Sequence, residues 1–232
     1  MALDLERFEV LTFDCYGTLI DWEAGILAEV KPILAGHGIS LTDDDVLERY
    51  ARIEAEIEAG PYRLYRDVLA NSLARLAAEL GFEATEEERA TFGTSVPRWP
   101  PFADSAAALA RLADRYRLGV ITNCDDDLFS ASALRLGTTF DWVVTAQQVG
   151  AYKPSEASFA RALDVIGVPR DRILHVAQSL FHDHVPARRM GLATAWVNRR
   201  HDRPGWGATP AADATPDLVV PDLATLADLA VG

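Results

Sequence analysis

Phe13-Asp14-Cys15-Tyr16-Gly17-Thr18-Leu19 is the stretch on which the fold turns. It ends the apolar run Phe8 to Phe13, which has the length and composition of a buried strand, and it precedes a helix-like segment that starts at Trp22. A carboxylate at the end of a buried parallel strand, followed by a glycine that lets the chain turn sharply, stands at the edge where open α/β sheets build their sites. Asp14 is therefore a candidate nucleophile. An isolated Asp-x-x-Gly reads more simply as a turn cap, so the assignment depends on what else reaches the same edge.

Outward from this stretch, the pattern is helical for nearly eighty residues. Ala24 to Gly36, Thr42 to Ala59, Tyr62 to Leu80 and Thr85 to Phe92 carry apolar residues at helical spacing. Gly38, Gly60-Pro61 and Gly81 break the pattern, and Thr42 and Thr85 are placed as N-caps. The cluster Pro97-Arg98-Trp99-Pro100-Pro101 cannot continue a helix and marks the return. After Asp104, helices alternate with strands at Leu118 to Thr122, Trp142 to Thr145, Ile173 to Ala177, Thr194 to Val197 and Leu218-Val219. Repeated βα units predict an α/β fold, a Rossmann-like parallel sheet covered on both faces. Residues 1–20 and 100–232 form the expected core, and residues 21–99 an all-helical cap inserted after the first strand.

Three later strands end on the edge expected for Asp14. They deliver Thr122-Asn123, then Tyr152-Lys153-Pro154, then Gln178-Ser179 with Asp183. A carboxylate, a hydroxyl-amide pair, a lysine and a second carboxylate thus converge. Asp125-Asp126-Asp127 reads as a cap on the helix that follows it. His182-Asp183-His184 brings two imidazoles close in sequence, but neighbours on a helix start point apart and no third ligand is evident, so no metal site is expected. Tyr62 and Tyr65, three apart, are expected on one helix face as packing residues, with Tyr62 also a candidate for substrate contact. Trp22 and Trp99 flank the insert as hinge packing.

Composition narrows the function. With 232 residues, 49% of them hydrophobic, the chain can bury a large core, and its formal net charge of −13 argues against a nucleic-acid partner. No apolar run is long enough to span a membrane, and the start lacks a basic, then apolar, leader, so a cytoplasmic enzyme is expected. Cys15 and Cys124 are too few for a disulfide framework and read as small buried thiols.

The ordered set Asp14-x-x-Gly17-Thr18, Thr122, Lys153 and the acidic loop ending in Asp183 resembles the haloacid dehalogenase superfamily over essentially the whole chain, cap included. Phosphatases of that superfamily carry a second Asp two residues after the nucleophile and an acidic residue in the last motif that helps bind magnesium. Tyr16 and Gln178 occupy those places. Without these carboxylates the chain lacks a general acid for a phosphate ester and much of the oxygen cage that magnesium favours. Asp14-Cys15-Tyr16-Gly17-Thr18-Leu19 and Thr194-Ala195-Trp196-Val197-Asn198-Arg199 look like the metal-independent 2-haloacid dehalogenase branch.

The resemblance implies a hydrolase without metal or cofactor, acting on a small anionic 2-haloacid. Asp14 would attack C2 and form an ester, and water would cleave it. Lys153 would hold Asp14 ionised, Thr18, Thr122 and Ser179 would bond carboxylates, Asn123 would face the halide, and Asp183 would pair with Lys153 or position water. Cys15, Tyr16, Tyr62 and His182 are candidate substrate contacts. So is one cap arginine, expected to be Arg52 in competition with Arg49, Arg63 and Arg66. Dehalogenases of this kind are often dimers, so a homodimer is among the expectations. Two departures stand out: Gln178-Ser179-Leu180 replaces the usual Ser-Ser-Asn, and Phe159 stands where a Tyr is usual. The alternatives are a magnesium phosphatase of the same superfamily and a non-catalytic binding protein on the same fold.

Overall fold

A computed structural model describes residues 3–232. Six strands, β1 (Val10–Phe13), β2 (Arg117–Thr122), β3 (Trp142–Thr145), β4 (Ile173–Ala177), β5 (Ala193–Val197) and β6 (Leu218–Val220), form one parallel sheet in the order β3-β2-β1-β4-β5-β6. β1 is central, paired with β2 on one side and β4 on the other. The chain reverses its direction of growth across the sheet at β1 and β4, so the loops leaving these two strands flank the crevice where such sheets bind ligands. β1 starts at Val10 rather than Phe8 because Leu5–Arg7 form a 3₁₀ turn that Phe8 closes through its N–H.

Strand alternation divides the core between the two faces. Leu11, Phe13, Leu118, Val120, Leu174 and Val176 pack in one cluster together with α5 (Ser105–Ala113) and α10 (Leu223–Val231). Val10, Ile121, Val144 and Ile173 face α8 (Glu156–Ile166) and α9 (Val185–Arg189). Thr12 and His175 lie on that second face, in direct register across β1 and β4. The chain also forms α6 (Asp126–Leu136) and a short α7 (Ala146–Val149), the latter absent from the sequence reading because a single turn carries too little periodicity.

Between β1 and α5 run the four helices α1 (Trp22–Gly36), α2 (Asp43–Glu58), α3 (Tyr65–Glu79) and α4 (Glu86–Gly93). Thr42 and Thr85 cap α2 and α4 as expected, Thr85 with Glu88 in a reciprocal capping box. The expectation for Asp125 is corrected. Its side chain makes no cap bond to α6 and instead accepts the N–H groups of Tyr65 at 2.7 Å and Arg66 at 3.2 Å, so it caps α3 of the insert. α3 consequently begins at Tyr65, and Tyr62, expected at the start of that helix, lies before it. Trp99 is buried where the insert rejoins the core, edge-on to Tyr16 and so close to Gly25 that a side chain there would overlap its ring.

Candidate active site

Gly17 adopts φ +92°, and a Cβ on it would meet Trp22 Nε1 at 3.0 Å and Gln178 Oε1 at 3.1 Å, so both conformation and space require glycine. That turn places Asp14 and Thr18 side by side at the end of β1. Thr18 Oγ1 donates to Asp14 Oδ2 at 2.7 Å and accepts the N–H of Gln178 at 2.9 Å, which ties the β1 loop to the β4 loop. Lys153 Nζ donates to Asp14 Oδ1 at 2.9 Å, to Asp183 Oδ1 at 2.6 Å and to the Ile121 carbonyl at 2.8 Å. An ammonium has three protons, and all three of these are committed.

Behind this cluster lies a residue that the sequence reading missed. His175 is fully buried on β4; its Nε2 contacts Asp183 Oδ1 at 3.0 Å and its Nδ1 contacts Thr12 Oγ1 at 3.0 Å. An ionised carboxylate only accepts, so the proton is assigned to Nε2 and the Thr12 hydroxyl donates to Nδ1. Phe159 stands edge-on to His175, with ring centroids 5.0 Å apart, so the position without a hydroxyl packs against the imidazole. The signal was a histidine inside the otherwise apolar run Ile173 to Ala177.

The charges of the cluster are interdependent. Lys153 and His175 hold Asp183 well below the ordinary carboxylate range in spite of its burial. The two carboxylates keep Lys153 charged against the same penalty. Burial pushes Asp14 upward, opposed by Lys153 and Thr18. Asp183 Oδ2 and Thr122 Oγ1 are buried without a hydrogen-bond partner among the described residues.

Asp14, Lys153, Asp183, Ser179, His182, Asn123 and Tyr16 line one small cavity with Trp22, Glu54, Glu58 and Tyr65 from the insert. The space open to the centre of a water molecule is about 30 Å³, enough for about two waters. A wider opening of about 350 Å³ adjoins it, sharing Glu58, Lys153 and His182 and bounded by Tyr62, Tyr152 and Phe181. Tyr62 thus lies in the vestibule rather than at the nucleophile.

The other expected residues divide between the cavity and its surroundings. Asn123 reaches the cavity with its amide already engaged: Nδ2 donates to Glu58 Oε2 and the Lys153 carbonyl, and Oδ1 accepts the Lys153 N–H. Ser179 Oγ accepts the N–H of His182 and contacts its Nδ1; burial lowers His182 to about 4, so the ring is neutral at ordinary pH. His184 turns away to the Ala177 carbonyl. Tyr16 presents its ring while its hydroxyl bonds Ser132 and Cys124. Cys15 and Thr122 are buried outside the cavity lining, and the Cys15 carbonyl holds the turn through the N–H groups of Thr18, Leu19 and Ile20.

The arginine expectation is corrected. Arg52 lies on the outer surface of α2, bonded to Glu79 and Glu56. Arg66 is engaged by Asp125 and Asp127, and neither Arg49 nor Arg63 lines the cavity. On the inner face of α2, Glu54 and Glu58, one turn apart, take the place expected of the arginine. Their signal was present: Val46, Leu47, Tyr50, Ala51, Ile53 and Ile57 mark the buried register, and Glu54 falls within it. Glu54 Oε1 accepts from the Tyr50 and Tyr65 hydroxyls at 2.6 and 2.8 Å. Burial raises Glu54 to about 7 and raises Glu58 well above its ordinary range.

Among the described residues, no group of three or more His, Cys, Asp or Glu side chains is arranged to hold a metal ion. Tyr16 and Gln178, which stand where the resemblance expects carboxylates in phosphatases, bond Ser132 and Thr209 respectively.

The chain is similar to known proteins over nearly its whole length. The chain is 26% identical over 232 residues to the (S)-2-haloacid dehalogenase of Pseudomonas fluorescens, covering 97% of both chains. It is 25% identical over 224 residues to haloacetate dehalogenase H-2 of Moraxella sp. (strain B), covering 94% of this chain and 95% of that one. The structure of L-2-haloacid dehalogenase from Xanthobacter autotrophicus superimposes with a TM-score of 0.79 at 24% identity, over 97% of this chain and 99% of the other, which establishes the shared fold. The model of the haloacid dehalogenase-like hydrolases matches residues 8–180, and with a nucleophile turn, lysine and acidic loop in that family's order, the chain belongs to the haloacid dehalogenase-like hydrolase family.

Proposed function

We propose that the chain is a metal-independent hydrolase that cleaves the carbon-halogen bond of a short 2-halogenated carboxylic acid or acid derivative through an ester on Asp14. The observation that carries this reading is the Asp14-Lys153-Asp183 cluster: a buried carboxylate held by two donors, beside a second carboxylate with one oxygen unpartnered. The curated relatives, named for 2-haloacids and haloacetate, support a short substrate, for which the cavity together with the opening that adjoins it offers the room.

In this mechanism an Asp14 oxygen displaces halide from C2, so a carbon-oxygen bond forms as the carbon-halogen bond breaks and the electron pair leaves with the halide. Lys153 and Thr18 fix the attacking carboxylate. Water then adds to the Asp14 carbonyl carbon, the alcohol leaves, the carboxylate is restored, and one proton passes to solvent. Asp183 Oδ2 orients that water, while His175 and Lys153 hold Asp183 Oδ1. Residues 21–99 act as the cap that excludes bulk water from the ester.

A single turnover in oxygen-18 water tests the covalent step. Heavy oxygen should appear in the Asp14 peptide and not in the first product, and Asp14→Asn should abolish turnover. Label in the product alone would make Asp14 a base for direct water attack and end this reading. Halide release should also survive prolonged chelation; loss to chelator with rescue by magnesium would favour the phosphatase.

A further inference from the structure

The cavity brings together a nucleophile suited to an activated C2 and a cap-side wall unsuited to an anion. Its one cation, Lys153, has all three protons engaged by Asp14, Asp183 and Ile121, and no arginine lines it. The insert instead contributes Glu54 and Glu58, on one face of α2.

One oxygen of each carboxyl group is set as an acceptor by fixed donors. Glu54 Oε1 receives two phenol protons, from Tyr50 and Tyr65. Glu58 Oε2 receives the Asn123 amide, whose nitrogen can only donate, and stands 3.9 Å from His182 Nε2. The second oxygen of each has no hydrogen bond among the described side chains, and both residues face the cavity. The rings of Tyr16, Trp22 and Tyr65 form the remaining walls and suit a flat group. Above about pH 7, where Glu54 is ionised, a substrate carboxylate entering here would meet that charge with no free cation to offset the repulsion. A primary amide would place its N–H donors against waiting acceptors, and its carbonyl still activates C2 for displacement.

Resting on the reading of Asp14 as the nucleophile of a dehalogenase, we infer that Glu54 and Glu58 are specificity-determining residues that select a short 2-haloamide over the corresponding 2-haloacid. The geometry makes the pair an N–H receptor, one turn of helix wide, contributed by α2 to the cavity that Asp14 also lines. The alcohol produced keeps its amide, and the halide departs as described above.

The test measures chloride release at pH 8.5, where Glu54 is ionised, by the wild-type enzyme from 2-chloropropionamide and from 2-chloropropionate, each also run for one turnover in oxygen-18 water. Propionamide and propionate serve as unreactive competitors. The amide should be preferred in kcat/KM by at least about tenfold, given the cost of placing like charges together. Propionamide should inhibit where propionate does not. Glu58→Gln and Glu54→Gln, which offer an amide donor to an anion, should each narrow the preference to within about threefold. Preference for the acid, or an amide preference unchanged in both variants, overturns the inference while label on Asp14 keeps the nucleophilic reading intact. Should the variants fail to fold, the wild-type ratio and the two competitors still decide. No chloride from either probe and no label on Asp14 would remove the parent reading and this inference together.

Discussion

Asp125, at the end of the core loop that follows β2, caps a helix to which it does not belong: its Oδ1 accepts the N–H of Tyr65 at 2.7 Å, and Oδ2 takes Arg66 through both its N–H and its Nε. Tyr65 in turn donates its hydroxyl to Glu54 at the cavity wall. One buried core carboxylate therefore sets where α3 starts and where the substrate-facing wall stands. Asp125→Ala should destabilise the protein by about 1–3 kcal/mol, for a lost cap and the buried donors left without a partner. It should also raise KM more than it lowers kcat. Urea unfolding together with steady-state kinetics checks both, and unchanged kinetics would mean that the wall does not depend on this cap.

In the proposed mechanism Asp14 must be ionised to attack, and its burial moves its carboxyl upward while Lys153 opposes that shift. The acid limb of kcat/KM should accordingly lie above the ordinary aspartate range, with activity lost as pH falls through it. Lys153→Met removes the opposing charge, so the surviving activity should be lower by about a thousandfold or more and its acid limb displaced to still higher pH. A limb that stays in place in the variant would show that Lys153 does not set the charge of Asp14.

Glu54 carries a cost that depends on pH. Its carboxyl is raised from the ordinary 4.5 to about 7 in the fold, mainly by burial. A carboxyl raised in the native state opposes folding once pH exceeds the unfolded value, and the effect is complete above the folded one. Glu54→Gln keeps an acceptor for Tyr50 and Tyr65 but has no charge to bury. It should therefore stabilise the protein at pH 8, by on the order of 1–3 kcal/mol, and not at pH 4. Thermal unfolding at the two pH values checks the sign, and equal effects at both would contradict it.

Arg52 offers the converse case. It is exposed and held by surface ion pairs with Glu79 and Glu56, contacts of little net worth. Arg52→Ala should leave kcat/KM within about twofold, as expected for a surface position away from the site. A large rise in KM would return this arginine to the substrate.

The sheet and the edge that carries Asp14 are legible in the order of residues, because these depend on local signals. Short apolar runs specify buried parallel strands, Gly17 specifies the turn after Asp14, and three stretches in order bring Asp14 with Thr18, Lys153 and Asp183 to the ends of β1, the β3 loop and β4. The helical insert was legible for the same reason, down to Thr42 and Thr85 at their caps.

Which insert residues share the cavity with Asp14 depends on tertiary packing. A helix periodicity identifies a buried face but not what that face will meet, and the rotation of α2 over the core turns Arg52 to solvent and Glu54 and Glu58 to Asp14. Asp125 likewise reads as the cap of its own helix, because local geometry offers that partner first; only packing of α3 against the β2 loop supplies the stronger one. His175 belongs to the same class. Nothing in the order of residues reveals that it stands beside Thr12 across two strands joined in register, with its other nitrogen on Asp183, since that contact spans 163 residues of chain and is made by the sheet.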